Sequence, residues 1–230
     1  MLVLHHLNNS RSQRILWLLE ELGLPYRIQP WARDSATMLA PEGLRQIHPL
    51  GKSPLLQDED RGGAVIAESG HIVEYLLDHY DRSGPGGHPL WRPAPGTPDF
   101  DRYRFWLHYA EGSLMPPLLL GLVFGQVAKA PMPFFARPIA KGIVAKVTQS
   151  FIGPQTRTHL QYVNDELAGR EWLAGDHPTG ADVQMSFPLE AAASRADMTP
   201  YPAIRDYVAR IHARPAWQRA LAAGGPYAYA

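Results

Sequence analysis

A segment rich in glycine and proline, residues 81–98 (DRSGPGGHPLWRPAPGTP), divides this chain into two parts of different character. Half of its residues are glycine or proline, which excludes a continuous helix or strand and is typical of a linker. Strand and helix patterns alternate before it, whereas only helical spacing follows it. In a chain of 230 residues this predicts an α/β domain over residues 1–80 and an all-helical domain over residues 99–230, joined by the linker.

The first part has the element order of a thioredoxin-like domain. Apolar runs and alternation predict four strands, at residues 2–4, 26–31, 54–57 and 64–67. Helical spacing of apolar residues predicts three helices, at residues 15–22, 38–47 and 69–77. Gly23 would end the first helix and Ser69 would cap the third. The resulting order is β-α-β-α-β-β-α.

The part after the linker is helical and unevenly charged. Four helices are predicted, beginning near Phe100, Leu160, Ala181 and Ala203. No acidic residue lies between residues 111 and 165, while basic residues are present: Lys129, Arg137, Lys141, Lys146 and Arg157. This stretch is either an anion-binding or entry surface or a solvated helix face, and we favour the second interpretation. Its interleaved prolines argue against one continuous basic helix for DNA or a membrane surface.

The composition excludes several kinds of function. The chain has no cysteine, so disulfides, thiolate zinc sites, CxxC redox centres and a thiol nucleophile of its own are excluded, and we predict no metal site. Lys+Arg 22 balances Asp+Glu 22, so no overall field recruits nucleic acid or an anionic membrane. The first residues do not resemble a signal peptide, and the uncharged stretch 112–128 is shorter than a membrane span. We therefore expect a cytoplasmic protein without a membrane span.

Three short segments have residue types suited to chemistry, and each has a simpler structural interpretation. Residues 9–12 (Asn-Ser-Arg-Ser) precede a helix, whose N–H groups would suit an anion such as a thiolate, although Asn and Ser are also common caps. In residues 52–55 (Lys-Ser-Pro-Leu), a cis bond at Pro54 would expose the Ser53 backbone as a template for a peptide. Glu68 and Ser69 could hold an ammonium and a carboxylate, or simply cap a helix.

The order of these segments resembles the cytosolic glutathione transferases over essentially the whole chain. The matching blocks are SRSQRILWLLEELGLPY (10–26), IHPLGKSPLL (47–56), IAESGHIVEYL (66–76), EGSLMPPL (111–118) and TGADVQMSFPL (179–189). The last two blocks look like the microbial subgroup related to a yeast transferase of the endoplasmic reticulum. The resemblance implies a thioredoxin-like domain that binds glutathione as co-substrate and a helical domain that covers a hydrophobic electrophile.

The resemblance also implies roles for individual residues. Pro54 matches the family's cis-proline, Ser53 would bond the cysteinyl backbone, and Lys52 would reach the glycyl carboxylate. Glu68 and Ser69 would hold the γ-glutamyl group. In TGADVQMSFPL, Thr179 and Asp182 match the family's capping box, which is structural.

The catalytic position is the least defined of these assignments. The residue that is serine in several classes falls on Asn9, next to Ser10, so we expect both to donate hydrogen bonds to the sulfur. Arg11 would add charge to the glutathione-binding set. The hydrophobic substrate site would be lined by aromatic residues that could equally be interdomain core: Tyr103, Trp106, Tyr109 and Phe124.

We therefore expect a glutathione transferase (EC 2.5.1.18 type) that directs the thiol at a hydrophobic electrophile or a peroxide, consistent with a role in detoxification. Two alternatives remain open: a glutathione-dependent disulfide reductase, and a non-catalytic ligand-binding protein of the same fold. Analogy with the family predicts a homodimer.

Overall fold

The computed structural model describes residues 1–35, 37–82 and 90–230. In the first part, a four-stranded sheet is accompanied by two helices: β1 (Leu2–Leu7), α1 (Ser12–Glu21), β2 (Tyr26–Trp31), β3 (Leu55–Asp58), β4 (Ala64–Ala67) and α2 (Ser69–Tyr80). The strand order is β2-β1-β3-β4, with β2 parallel to β1 and both β3 and β4 antiparallel to their neighbours. The predicted thioredoxin-like arrangement is confirmed.

One predicted element of this part is wrong. Instead of an α-helix at residues 38–47, the chain forms only a short 3₁₀ helix, Glu42–Gln46. Gly43 lies so close to Trp31 that an added Cβ would be 2.8 Å from the indole ring. The segment therefore folds against β2, and glycine in its middle disfavours a longer helix.

The described residues of the second part form helices and connecting loops, with no strand among them. Its helices are α3 (Pro98–Tyr109), α4 (Met115–Lys129), α5 (Arg137–Val147), α6 (Gly153–Leu167), α7 (Gly180–Ala193), α8 (Pro202–His212) and α9 (Pro215–Gly224). A π-helical turn, Ala110–Leu114, joins α3 to α4. The resulting helix Pro98–Lys129 is long and apolar enough to cross a membrane by length and composition, a property shared by core helices of soluble proteins.

The core of this part is α7, which is buried along nearly its whole length. The predicted capping box at its start is present: the Asp182 carboxylate accepts hydrogen bonds from the backbone and hydroxyl of Thr179. Gly180 is packed so tightly between helices that an added Cβ would be 2.8 Å from both Val73 and Leu77 of α2. A residue with a side chain would push α7 away from α2.

The two parts pack directly against each other. Helix α1 lies against α7 and α9, and Trp91, from the described end of the linker, packs edge-on against Trp17. The Trp91 carbonyl accepts a hydrogen bond from the Gly180 N–H at 2.9 Å. Helix α2 ends at Tyr80 and α3 begins at Pro98, while residues 83–89 of the predicted linker lie outside the described residues. The domain boundaries at residues 80 and 98 stay a prediction.

Candidate functional site

Three segments that are distant in the sequence meet in one cleft. It is lined by Arg11 at the start of α1, by the loop before β3, and by the junction between β4 and α2. All six residues expected to bind glutathione line it: Arg11, Lys52, Ser53, Pro54, Glu68 and Ser69. We call these six residues the polar cleft. His48 and Leu50 also line it, and sequence reasoning missed them although both lie in the IHPLGKSPLL block.

The loop before β3 is held against the sheet by its own serine. The Ser53–Pro54 peptide bond is cis, as the resemblance implied. The Ser53 hydroxyl donates a hydrogen bond to the His5 carbonyl of β1 at 3.1 Å. Pro54 is buried, whereas Lys52 is exposed and lines the cleft. The loop therefore presents backbone at the cleft and a positive charge at one edge.

The junction between β4 and α2 has an unusual backbone. Glu68 has φ 68°, a left-handed conformation that costs a non-glycine residue free energy and is often kept at functional positions. Its carboxylate is exposed. Ser69 does not cap α2, contrary to the sequence prediction: its buried Oγ accepts hydrogen bonds from Arg14 Nη2 at 2.6 Å and from Gln184 Nε2 at 3.4 Å. Because Ser69 Oγ accepts both of these hydrogen bonds, its own hydroxyl hydrogen remains available to a ligand.

An ion cluster behind the cleft links the two parts of the chain. Glu111, in the π-helical turn, accepts two hydrogen bonds from Arg11, at 2.8 and 2.9 Å, and one from the fully buried Arg14. Burial acts to raise the pKa of Glu111, but the charges and hydrogen bonds of Arg14 and Arg11 outweigh it and lower that pKa. Two arginines around one carboxylate leave a net positive charge, which favours an anionic ligand beside Arg11.

The two residues expected to contact the sulfur are placed differently. Asn9 has φ 49°, and its side-chain carbonyl accepts a hydrogen bond from the Ala228 N–H at 2.8 Å, which leaves the amide NH₂ as a donor. Ser10 is buried, and its Oγ lies 2.8 Å from Ser12 Oγ and accepts the Ser12 N–H at 3.2 Å. Ser10 Oγ thus accepts the first backbone N–H of α1, although the N-cap residue is Arg11, and it joins a buried hydroxyl pair that the sequence did not reveal.

The aromatic residues of α3 belong mainly to the core. Tyr103 is 0% and Trp106 1% exposed, so neither presents a free face to a ligand, and the interdomain-core interpretation describes them. Tyr109 is buried with its hydroxyl 2.5 Å from His159 Nδ1, and one edge borders a surface groove. Phe124 is half-buried on α4. The aromatic side chains of α3 pack against neighbouring helices. The pattern of a single sequence cannot distinguish such packing residues from residues that line a pocket.

A different pair of aromatic rings lies next to the polar cleft. The Arg11 guanidinium lies 5.1 Å from the centre of the Phe187 ring, and that ring lies 5.7 Å from Tyr229. Arg195 donates a hydrogen bond to the Tyr229 hydroxyl at 2.7 Å. Phe187 lies in the recognisable block TGADVQMSFPL, so the sequence drew attention to its position. Tyr229 follows the last helix and lies in no such block.

The basic stretch in residues 112–164 lies largely on exposed surface. All residues of α5 are outside the core, including Lys141 and Lys146, which fits a solvated helix face. The expectation that prolines interrupt the basic stretch is confirmed: α4 ends at Lys129 and α5 begins at Arg137, and Pro131 and Pro133 lie in the non-helical segment between them. Pro138 lies in the first turn of α5, where a missing N–H breaks no helical hydrogen bond.

Comparisons with known proteins all point to one family. Two family models match: "Glutathione S-transferase, N-terminal domain" at residues 10–79 and "Glutathione S-transferase, C-terminal domain" at residues 153–215. The chain is 37% identical to Glutathione S-transferase 1 of Saccharomyces cerevisiae, over 90% of this chain and 88% of that protein. It is 36% identical to Glutathione S-transferase 3 of Schizosaccharomyces pombe, over 94% and 85%. A glutathione S-transferase crystal structure from Actinobacillus pleuropneumoniae matches with 34% identity and TM-score 0.76, covering 96% of this chain and 91% of that one.

Proposed function

Because this chain belongs to the glutathione S-transferase family, we propose that its polar cleft holds glutathione and that the start of α1 activates the glutathione thiol. The observation that carries this proposal is the meeting of three distant segments, with all six expected binding residues, in one cleft. The activated sulfur attacks a hydrophobic electrophile at carbon or a peroxide at oxygen.

The charges around the polar cleft match the two ends of the tripeptide. Lys52, exposed at one edge, pairs with the glycyl carboxylate. Glu68, at the opposite junction, pairs with the γ-glutamyl ammonium, and the Ser69 hydroxyl donates to the γ-glutamyl carboxylate. The Ser53 backbone, beside the β-sheet, bonds the cysteinyl backbone in the manner of an added strand. Opposite charges at the two ends fix the direction in which glutathione binds.

The thiol is ionised by its surroundings and not by a cysteine or tyrosine of the loop. A free thiol has a pKa of about 8.5, and the thiolate is the nucleophile. Asn9 and Ser10 provide hydrogen-bond donors, and the N-terminal end of α1 adds a partial positive charge. The net positive charge of the cluster Arg11, Arg14 and Glu111 acts in the same direction.

We assign the electrophile to the side of the cleft formed by Phe187 and Tyr229. Tyr229 is partly exposed and packs against the buried Phe187 ring, which lies 5.1 Å from the Arg11 guanidinium, whereas Tyr103 and Trp106 are enclosed in the core. The Ala228 N–H donates a hydrogen bond to Asn9, one of the two residues that we propose meet the sulfur, which supports a role for the C-terminal segment in this part of the site. A hydrophobic electrophile bound there is held close to the thiolate, which raises its effective concentration.

The test of this proposal compares charge-removing variants with a matched control. Lys52→Met and Glu68→Gln each remove one charge-assisted hydrogen bond to glutathione, so we expect the dissociation constant to rise about tenfold in calorimetry. Glu59→Gln, an exposed acid outside the cleft, should leave it unchanged. Asn9→Ala combined with Ser10→Ala should lower kcat with a model aryl halide. A wild-type protein that does not bind glutathione at millimolar concentration would refute the proposal.

One observation favours a second candidate, a non-catalytic ligand-binding protein. The Ser10 hydroxyl is bonded to Ser12 and is buried, so its use by the sulfur requires a rearranged hydrogen-bond pattern. In that case glutathione binds but turnover stays at the uncatalysed rate with every electrophile class. A disulfide reductase would instead consume two glutathione molecules per small disulfide, with both thiols supplied from outside because the chain has no cysteine.

We also propose a homodimer, a cytoplasmic location and membership of the microbial subgroup that includes the yeast relative. Large apolar side chains exposed on α3 and α4, such as Phe105 and Leu119, support the dimer because water-exposed apolar surface favours association. Light scattering coupled to gel filtration measures the oligomeric state directly, and a mass of one chain at micromolar concentration would rule the dimer out.

A further inference from the structure

A chain of buried hydrogen bonds runs inward from Ser10 and ends at a histidine. Ser10 Oγ lies 2.8 Å from Ser12 Oγ, and Ser12 Oγ lies 2.8 Å from His6 Nδ1. The exposed fraction is at most 5% for each of the three residues. Nothing in glutathione binding as described above uses His6 or Ser12. Two hydroxyls and an imidazole in series are the components of a path along which protons can move.

The state of His6 sets the direction of these hydrogen bonds. Burial lowers the pKa of His6, while a hydrogen bond to the Gly224 backbone acts to raise it. The imidazole is therefore neutral at neutral pH, and a backbone bond that raises its pKa is one that accepts a ring N–H. With Nε2–H given to Gly224, Nδ1 has a lone pair and accepts the Ser12 hydroxyl. No charged side chain contributes to this shift, so burial and Gly224 account for it.

With the hydrogen bonds in this direction, Ser10 donates to Ser12 and can only accept a hydrogen bond from a ligand in the resting protein. Ser12 Oγ also lies 3.2 Å from the Leu7 carbonyl, but its single hydrogen goes to the nearer acceptor, His6 Nδ1 at 2.8 Å. The same oxygen accepts the Leu7 N–H at 3.2 Å, so its second lone pair takes the Ser10 hydroxyl. Ser10 Oγ in turn accepts the Ser12 N–H at 3.2 Å and has one lone pair left. For Ser10 to donate to a thiolate, each hydroxyl must reverse, and the reversed chain requires a proton on Nδ1.

We propose that His6 and Ser12 are positioning residues that, through Ser10, take up the thiol proton of bound glutathione. The inference rests on the proposed function, in which Ser10 meets the sulfur. The S–H bond breaks as the proton passes to Ser10 Oγ, the Ser10 hydrogen passes to Ser12 Oγ, and the Ser12 hydrogen passes to His6 Nδ1. One proton moves in total, and the products are a thiolate and an imidazolium.

The product of this transfer has every donor satisfied. The imidazolium donates from Nδ1 to Ser12 and from Nε2 to Gly224, Ser12 donates to Ser10, and Ser10 donates to the thiolate. The two opposite charges form together, so each stabilises the other in a site shielded from water. The proton stays within the protein and does not enter the buffer when the thiol ionises.

That difference in the fate of the proton is measurable. Calorimetry of glutathione binding in buffers of different ionisation enthalpy gives the protons released, and the ultraviolet absorbance of the thiolate gives the thiolate formed. S-methylglutathione, which cannot ionise, provides the baseline. For the wild type we expect clearly less than one proton released per thiolate formed. One full proton per thiolate would overturn the relay, whereas no binding of glutathione would overturn the proposed function instead.

Variants separate the relay from a merely structural role. His6→Asn offers Ser12 a hydrogen-bond partner that cannot take up a proton, so each thiolate should release one proton and kcat/KM should fall about tenfold or more. KM for glutathione should change less than about twofold, because the polar cleft is intact. Ser12→Ala should behave like His6→Asn, and Ser12→Thr, which keeps the hydroxyl, should restore the wild-type proton count.

A matched control lies next to His6 in the sequence. The ring of His5 accepts a hydrogen bond from Trp31 Nε1 at 3.2 Å on the other side of β1, away from Ser12. His5→Asn should keep the wild-type proton count and kcat/KM. Wild-type values in both His6→Asn and Ser12→Ala would contradict the proposal.

Discussion

Glu111 and Asp182 are two carboxylates of the helical part that are stabilised in opposite ways. Glu111 is compensated by charge, from Arg11 and Arg14 of the other part of the chain. Asp182 is fully buried and accepts its hydrogen bonds from uncharged donors of its own part: the Leu173 N–H, the backbone and hydroxyl of Thr179, and the Tyr207 hydroxyl. Burial raises the pKa of Asp182 although its hydrogen bonds act against it, whereas the pKa of Glu111 is lowered.

The two carboxylates have different structural roles: Asp182 stabilises one domain, whereas Glu111 joins the two domains beside the polar cleft. Asp182 fixes the start of α7 and touches no residue of the polar cleft. Glu111 orients Arg11, which lines that cleft, and Arg14, which donates to the cleft residue Ser69. Changes at Asp182 should therefore affect folding alone, and changes at Glu111 should affect both folding and glutathione.

The largest effect should come from Asp182→Ala. It leaves several buried donors without an acceptor, so we expect the free energy of unfolding to fall by about 3 kcal/mol or more in urea denaturation. KM for glutathione should not change in the protein that remains folded. Asp206→Ala, an exposed acid on α8, is the control and should stay within about 0.5 kcal/mol of the wild type. A loss at Asp182 below about 1 kcal/mol would argue against this role.

A smaller loss of stability, with an effect on ligand binding, should follow Glu111→Gln. The change keeps a hydrogen-bond acceptor but removes the charge facing the buried Arg14, so we expect about 2 kcal/mol of destabilisation. KM for glutathione should rise because Arg11 and Ser69 lose their fixed positions. The pair of Arg102 with Glu166, at 2.9 Å and partly exposed, provides the comparison: Glu166→Gln should cost less than about 1 kcal/mol and leave KM unchanged.

The smallest effect is a difference in pH dependence. Since the folded pKa of Glu111 is lowered, its contribution to stability is present above its ordinary pKa of 4.5 and is lost as pH falls through the folded value. The raised pKa of Asp182 gives the opposite sign: its contribution is present below 3.8 and is lost as pH rises.

Urea unfolding over an acid pH series can measure both signs. On acidification, the stability advantage of the wild type over Glu111→Gln should shrink, and its advantage over Asp182→Asn should grow, each by on the order of 1 kcal/mol. Parallel slopes for the two variants would show that the carboxylates do not differ in this way.

Local sequence signals predicted the elements well where the pattern and the packing agree. The strand at residues 64–67, the end of α1 near Gly23 and the capping box of Thr179 with Asp182 are all confirmed. The prediction of an α-helix at residues 38–47 failed because the contact between Gly43 and Trp31 outweighed the local helix propensity. The proline signal held at Pro131 and Pro133, which lie in the non-helical segment between α4 and α5.

The polar cleft was predictable because its residues came from recognisable blocks, and the structure needed only to bring those blocks together. The functional state of each side chain was not predictable. The prediction that Ser69 caps α2 was wrong, because its hydroxyl oxygen accepts a hydrogen bond from Arg14, 55 residues away in the sequence. The fate of Tyr103 and Trp106 depended on how α3 packs on α7, which their spacing along one helix does not specify.

The sequence by itself determined the two-part architecture and the absence of any thiol in the chain, and its resemblance to a family supplied the residues that we propose bind glutathione. The first two properties follow from composition and periodicity, whereas the binding residues are what the resemblance implies. Only the tertiary structure decided that Ser10 is linked through Ser12 to His6, that Glu111 is shared by two arginines, and that Phe187 and Tyr229 lie beside the cleft. Hydrogen bonds and charge compensation act over a few ångströms, and folding alone determines which distant residues come that close.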